Sequence, residues 1–326
     1  MIIYGIAGER TVKTVYLSYP LPAEVIREHT QPQVAAIGQF DGVHLGHASV
    51  ISSAVNLAKG KHIPSAVMTF HPHPKDVMKK GDYEGSLTPL QEKQELLAGL
   101  GVDIVYVVEF NDSFSHVSPQ EFVEGVLFPL GIEAAVVGFD FRFGHKGEGN
   151  AEMLRLLGDG RLNVEVIPPF ELEGGKVSST EIRKALQRGD LERAGRLLGR
   201  SYRLRGTVVG GEKRGRTIGF PTANLKLDDK FVIPVKGVYA VRAFLNGRIF
   251  PGVMNVGVKP TFHENETVPS FEVHLFDFDR EIYGEHVSVE LVHFIRNERK
   301  FPSVPELIAQ IQADADRARE LLKSGR

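Results

Sequence analysis

The chain has 326 residues, enough for two domains at ~100–200 residues each and for a large core without covalent staples. Hydrophobic residues make up 42%, charged residues 25%, and the formal net charge is −2, which argues against bulk nucleic-acid binding through a basic surface but leaves room for a small anion pocket. The absence of cysteine excludes disulfides, thiolate nucleophiles and cysteine-based zinc sites. No apolar run approaches the ~18 residues of a membrane span. The N-terminal stretch carries an acid and two prolines where a signal peptide has its apolar region, so a cytoplasmic protein without a membrane partner is expected.

In chain order, residues 33–40, 65–70, 103–110, 134–140 and 163–170 are short and rich in β-branched and aromatic residues. They do not alternate cleanly, as expected of parallel strands covered on both faces. Between them lie helix starts. Thr88-Pro89-Leu90-Gln91 and Ser118-Pro119-Gln120-Glu121 carry the capping-box pattern with proline at the first helical position, and Ser178-Ser179-Thr180-Glu181 carries it without proline. Strand–helix alternation predicts a doubly wound, Rossmann-like α/β domain with a parallel sheet.

After Leu198-Gly199 the pattern changes to closely spaced strands at residues 202–210, 237–245, 248–257, 270–278 and 286–295. Asn246-Gly247 suits a type I′ hairpin turn. A small antiparallel β-barrel is expected. It is followed by a terminal helix that starts near Ser303 and packs its stripe of Leu307, Ile308, Ile311, Ala315, Ala318 and Leu322 on the barrel. The expected domains are residues 1–187 and 202–326, with a linker at 188–201.

The chemistry concentrates in two places. Residues 38–47, Gly-Gln-Phe-Asp-Gly-Val-His-Leu-Gly-His, run from a core strand into an amphipathic helix, the favoured phosphate position in α/β sheets. His44 and His47 share one side of a first helical turn and could stabilise charge on a leaving pyrophosphate. The alternatives are surface residues or a partial metal site, but a zinc site would want a third ligand at a recognisable spacing and none is offered. Gly38 and Gly42 permit a tight turn, and Gly46 permits close approach of a nucleotide to the backbone. His71-Pro72-His73-Pro74 suggests a metal tract, but proline restricts each preceding residue and favours a rigid loop wall. Phe141 and Phe143, at the end of a strand, suit a planar ring or simple core packing. Hydroxyls at Ser179 and Thr180 cap a helix start, and Arg183 one turn in could reach a phosphate. His44-Leu45-Gly46-His47 with Ser178–Arg183 about 130 residues on resembles the nucleotidyltransferase superfamily, whose members transfer AMP from ATP without a covalent intermediate.

The barrel half opens with a loop of four glycines and three cations over residues 210–219, able to wrap phosphates with backbone amides but lacking the Walker A spacing. Thr222 and Asn224 flank Ala223 and face one way in an extended segment. Their neutral oxygens suit Mg²⁺ that is also held by phosphates, or they form a polar turn. Glu272 alternates with apolar neighbours and could take a proton at a barrel mouth.

Phe220-Pro221-Thr222-Ala223-Asn224, Asn255 to Phe262, and Glu272 to Phe278 followed by Ile282-Tyr283-Gly284 are similar to riboflavin kinase. With the front half, residues 15–325 resemble the bacterial bifunctional riboflavin kinase/FMN adenylyltransferase (FAD synthetase) family, with motifs of both halves in the family's order. Lys259 stands where many members have arginine, which removes planar bidentate bonding there. The resemblance implies that the chain makes FMN from riboflavin and MgATP, then FAD and pyrophosphate from FMN and a second MgATP. It implies Glu272 as base, Thr222 and Asn224 on Mg²⁺, and His44, His47 and Arg183 on phosphate charge. It further implies substrate or nucleotide contacts at Gly38, Phe40, Asp41, Gly42, Gly46, Asp140, Phe141, Phe143, Ser179 and Thr180, and at Gly210, Lys213, Arg216, Gly219, Phe220 and Pro221. Two rivals remain: an adenylyltransferase for another phosphate-bearing metabolite, and a non-catalytic flavin- or nucleotide-binding regulator.

Overall fold

A computed structural model describes residues 11–79, 83–211, 215, 218–260 and 267–324. The chain divides into two compact units, Met1–Ser179 and Thr180–Arg326.

In the first unit six strands form one parallel sheet: β1 (Lys13–Leu17), β2 (Gln33–Ile37), β3 (Ser65–His71), β4 (Ile104–Glu109), β5 (Ile132–Gly138) and β6 (Asn163–Ile167), in the order β1-β4-β3-β2-β5-β6. Five are the expected strands. The sixth, β1, has a half-exposed edge pattern that leaves too few apolar residues to stand out in the sequence. Its helices are α1 (Ala23–His29), α2 (Leu45–Lys61), α3 (Pro74–Val77), α4 (Leu90–Gly99), α5 (Asp112–Ser115), α6 (Pro119–Phe122) and α7 (Ala151–Gly158), and a small hairpin pairs β7 (Glu171–Leu172) with β8 (Gly175–Lys176). The sheet is buried on both faces. Ala35 and Ile37 pack into one apolar cluster with Met68 and Tyr106, whereas Val34 and Ala36 pack into another with Val67, Val105 and the α2 residues Ile51 and Ala54. That two-sided burial is why the strands read as continuous apolar runs.

The Ser118 capping box forms as expected, with the Ser118 hydroxyl accepting from the Glu121 N–H while the Glu121 carboxylate accepts from the Ser118 N–H. The same two donors, the Ser118 amide and hydroxyl, hold the Glu121 carboxyl below its ordinary value. The Thr88 box does not form. Thr88 is buried and its N–H is taken by Asp41, so α4 starts at Leu90 with Pro89 in the cap position and no side-chain cap.

The second unit starts with α8 (Ser179–Gln187), whose first residue is counted with the first unit, and α9 (Leu191–Leu198). Strands β9 (Tyr202–Val209), β10 (Ala223–Leu227), β11 (Gly237–Leu245), β12 (Arg248–Pro260), β13 (Thr267–Leu275) and β14 (His286–Asn297) close into an antiparallel barrel in the order β10-β13-β12-β11-β14-β9. Asn246 and Gly247 both take positive φ, 50° and 72°, in the tight turn between β11 and β12. The terminal helix α10 (Val304–Ser324) packs Ala315 and Ala318 against Ala240 and Phe276. Asp314 beside them is fastened to Arg296 of β14 by three charge-assisted bonds of 2.7–3.0 Å. Among the described residues no helix is long and apolar enough to cross a membrane.

Candidate active sites

In the first unit the sheet order reverses at β2. The chain adds β3 and β4 on one side and β5 and β6 on the other. The crevice at the carboxyl ends of β2 and β5 is therefore the topological switch point, where open α/β sheets bind ligands. Residues 38–44 leave β2 at this point.

Their turn is tight. Gly38 still donates to Met68 of β3 at 3.1 Å, and then Phe40, Gly42 and Val43 all take positive φ, at 48°, 97° and 38°. A β-branched residue in that region is strained, and such strain concentrates at functional sites. Val43 is held there by complete burial and by donating its N–H to the Phe40 carbonyl at 3.2 Å. Asp41 is buried. Its carboxylate accepts the N–H groups of Leu87 at 2.9 Å and Thr88 at 3.3 Å, and its carbonyl accepts the Ser179 hydroxyl at 2.7 Å. Asp41 and Ser179 thus lock the turn to the segment before α4 and to the start of α8.

His44 is the N-cap of α2, its Nδ1 accepting the His47 N–H at 3.2 Å. That bond leaves the proton of a neutral His44 on Nε2. The two imidazoles stack, with centroids 3.6 Å apart and planes 17° apart, and the Phe40 ring meets His47 edge-on at 5.4 Å. A Cβ on Gly46 would stand 3.2 Å from the His44 ring, so the glycine lets that imidazole lie against the backbone. No acidic residue occupies the first turn of α2, and its amide dipole is free to favour an anion.

The other expected residues of this half divide. Phe143 is buried in the core against Phe122, and only the half-buried Phe141, stacked on it at 5.5 Å, has surface to offer a ligand. Asp140 is ion-paired with Lys176 at 2.8 Å. Thr180 and Arg183 follow Ser179 on α8 and are counted with the second unit. Missed in the sequence are the buried Thr69 and Lys93, which engage the half-buried Gln39 of the turn from beneath. Lys93 donates to the Gln39 carbonyl at 2.7 Å and to the Thr69 hydroxyl at 3.1 Å. Its signal was available, since Lys93 stands one helical turn before the fully buried Leu97, on the apolar stripe of α4.

In the second unit the register sets Asn224 of β10 opposite Glu272 of β13, and Glu272 opposite Asn255 of β12. Directly opposed residues share a face. Phe271 and Val273, 6% and 2% exposed, fill the barrel interior, so Glu272, Asn224 and Asn255 line up on the outer wall. The expected barrel-mouth position for Glu272 is corrected on this point, because side chains fill the inside of so small a barrel. The glycine-rich loop lies against the same row. A Cβ on Gly211 would come within 2.1 Å of Asn224 Nδ2, and one on Gly215 within 3.4 Å of Thr222 Oγ1. His274, two residues along from Glu272, is 2.8 Å through Nδ1 from the Pro221 carbonyl and meets Phe220 edge-on, which straps the 220–222 segment to β13. Gly210 and Gly219 have open space around them. Lys213 and Arg216 lie outside the described residues, as does the side chain of Lys259. Asn255 and His274 lie inside the segments that carry the resemblance but were given no role there, because pairing register is not written locally.

Comparison with known proteins matches the two halves of the chain to two family models. Residues 26–181 match the family model described as FAD synthetase, and residues 198–322 match that described as riboflavin kinase. Bifunctional riboflavin kinase/FMN adenylyltransferases of Bacillus subtilis and Listeria monocytogenes are 43% and 45% identical to this chain, over 94% and 93% of it and 97% and 96% of their own lengths. That of Escherichia coli K12 is 40% identical over 88% of this chain and 92% of its own. A crystal structure described as a macrolide-efflux protein from Streptococcus pneumoniae is similar with a TM-score of 0.84 and 35% identity, covering 94% of this chain and 99% of that one.

Proposed function

The chain belongs to the bifunctional riboflavin kinase/FMN adenylyltransferase family, and on that premise we propose how its residues divide the two reactions. It phosphorylates riboflavin to FMN and adenylylates FMN to FAD.

The kinase reaction belongs to the outer wall of the barrel. Glu272 takes the proton of the ribityl 5′-hydroxyl as that oxygen attacks the γ-phosphorus of ATP and the bond to the β-phosphate oxygen breaks. Asn224 and Asn255 flank Glu272 and orient the reacting groups. The loop around Gly210, Gly211, Gly215 and Gly219 covers the phosphates, with Phe220 and Pro221 forming its exit wall. Thr222 and Asn224 offer two neutral hard oxygens against that loop, a donor set that fits the Mg²⁺ carried in with ATP; when bound, the ion neutralises phosphate charge.

Adenylyl transfer belongs to the switch point of the sheet. A phosphate oxygen of FMN attacks the α-phosphorus of a second ATP, and pyrophosphate leaves. The Phe40 amide and the first amides of α2 bind phosphate oxygens. His44 and His47 donate to the charge that develops on the leaving group, and Arg183 adds a bidentate contact. Phe141 lines the ring pocket. On this reading α8 serves adenylyl transfer through Ser179, Thr180 and Arg183, and the functional boundary lies within residues 188–201. Riboflavin, FMN, FAD, ATP and pyrophosphate are the small molecules the two sites handle.

The observation that carries the division is the pair of separate polar constellations in separate units: a stacked histidine pair capping α2, and a carboxylate between two asparagines on the barrel wall. The test is chromatography of flavins after incubation with MgATP. Riboflavin should pass through FMN to FAD, and supplied FMN should give FAD alone with release of pyrophosphate.

A further inference from the structure

Lys93 is a charge set inside the fold beneath the turn. It is 4% exposed, and Lys is among the residues least often buried. Burial pushes its ammonium down to about 8, with Asp41 opposing that shift. A methionine would fill the same volume on α4 without a desolvation cost. The Gln39 carbonyl would not be orphaned by that exchange, because the Thr69 hydroxyl already donates to it at 3.0 Å. Packing and hydrogen-bond satisfaction therefore do not by themselves require the ammonium, and the charge it faces is the buried Asp41 of the same turn.

Its position explains it. Lys93 reaches the Gln39 carbonyl from below, at the first peptide of the strained turn. The Gln39–Phe40 peptide is not among the cis bonds. In a trans peptide the C=O and N–H point in opposite directions, so drawing the carbonyl inward turns the Phe40 N–H outward. Among the described residues none accepts a hydrogen bond from that N–H. The same ammonium is a fixed positive charge in a low-dielectric interior, where its field on a nearby polyanion is little screened.

We propose that Lys93 is a positioning residue for adenylyl transfer: together with the Thr69 hydroxyl its buried ammonium holds the Gln39–Phe40 peptide with its N–H toward the triphosphate, and its charge biases the whole turn toward anion binding. The inference rests on the reading of residues 38–47 as the triphosphate site. It goes beyond that reading by assigning part of the site's anion affinity to a residue that touches no substrate.

The experiment uses the full chain with Lys93→Met, and with Lys93→Cys converted to the lysine analogue by aminoethylation during refolding. The modification is selective because the chain has no cysteine of its own. The Lys93→Met variant should lose about 10²-fold in kcat for FMN adenylylation, the scale of one preorganised donor. Its riboflavin phosphorylation should stay within twofold of wild type, and its Tm at pH 7 should fall, because the buried Asp41 carboxylate loses its counter-charge. Aminoethylated Lys93→Cys should regain most of the lost kcat. The proposal is overturned if Lys93→Met makes FAD within threefold of the wild-type rate. It is equally overturned if the loss follows a fall in Tm and aminoethylation does not restore the rate. A parallel His44→Ala variant separates the two readings: wild-type FAD synthesis in that variant would remove residues 38–47 from the reaction, whatever Lys93 does.

Discussion

At the residue scale, the proposed division of the two activities can be tested by removing side chains one at a time. Glu272→Gln keeps the shape of the Asn224–Glu272–Asn255 row but cannot accept a proton. Riboflavin phosphorylation should fall by about 10²–10⁴ while FMN adenylylation continues, as read by chromatography of both products. His44→Ala with His47→Ala should do the reverse, accumulating FMN without FAD. Because His44 is also the N-cap of α2, that variant should lose about 1 kcal/mol of stability as well, measurable by denaturant unfolding. Lys93 gives a pH signature. Its folded pKa of about 8 lies below the value of 10.5, so between those pH values the unfolded chain binds the extra proton. Stability due to this group therefore rises with pH across the window, by up to about 3 kcal/mol for a shift of this size. The difference in unfolding free energy between wild type and Lys93→Met should shift in favour of wild type from pH 8 to pH 10.5. A flat difference would mean that the ammonium is not desolvated.

At the scale of elements, docking depends on single buried groups. The terminal helix α10 is joined to β14 through Asp314 and Arg296, whose side chains are 4% and 20% exposed. Asp314→Asn leaves a largely buried guanidinium without its carboxylate, and it should cost about 2–4 kcal/mol. A lowered Tm with riboflavin phosphorylation retained at low temperature is the expected result. The glycine-rich loop depends on close approach instead. Any side chain at Gly211 must displace the Asn224 amide, so Gly211→Ala should raise KM for ATP in the kinase step several-fold and leave the adenylylation KM unchanged. Elements were also where the sequence misled. The Thr88 pattern has every local feature of a helix start, yet a buried carboxylate from residue 41 takes the amide that the cap would have used.

At the scale of the whole molecule, the division into units and the division of labour do not coincide at α8. The contacts place Thr180 onward with the barrel, where the Leu186 carbonyl accepts the Val235 N–H at 3.0 Å and Gly189 lies against Phe294. The proposed chemistry places Thr180 and Arg183 with the adenylyltransferase. A fragment of residues 180–326 should therefore phosphorylate riboflavin and stop at FMN. One starting at residue 190 should be less stable, since it lacks the α8 segment that bonds Val235. Unfolding midpoints of the two fragments, with flavin chromatography, check both statements.

Two domains of different class, the order of their elements and most of the reactive residue types were legible along the chain, because they rest on local signals. Periodicity distinguishes the covered parallel strands from the barrel strands, and Gly38–His47 and Phe220–Asn224 are contiguous in sequence. The tertiary structure decided what depends on residues far apart. It put Glu272 on the wall of the barrel, between two asparagines set there by register. It sent Phe143 into the core and engaged Asp41 with backbone amides. It also set a charged lysine beneath the turn that follows β2. Pairing register, side-chain direction and burial are properties of packing between distant segments, and no local stretch of the chain contains them.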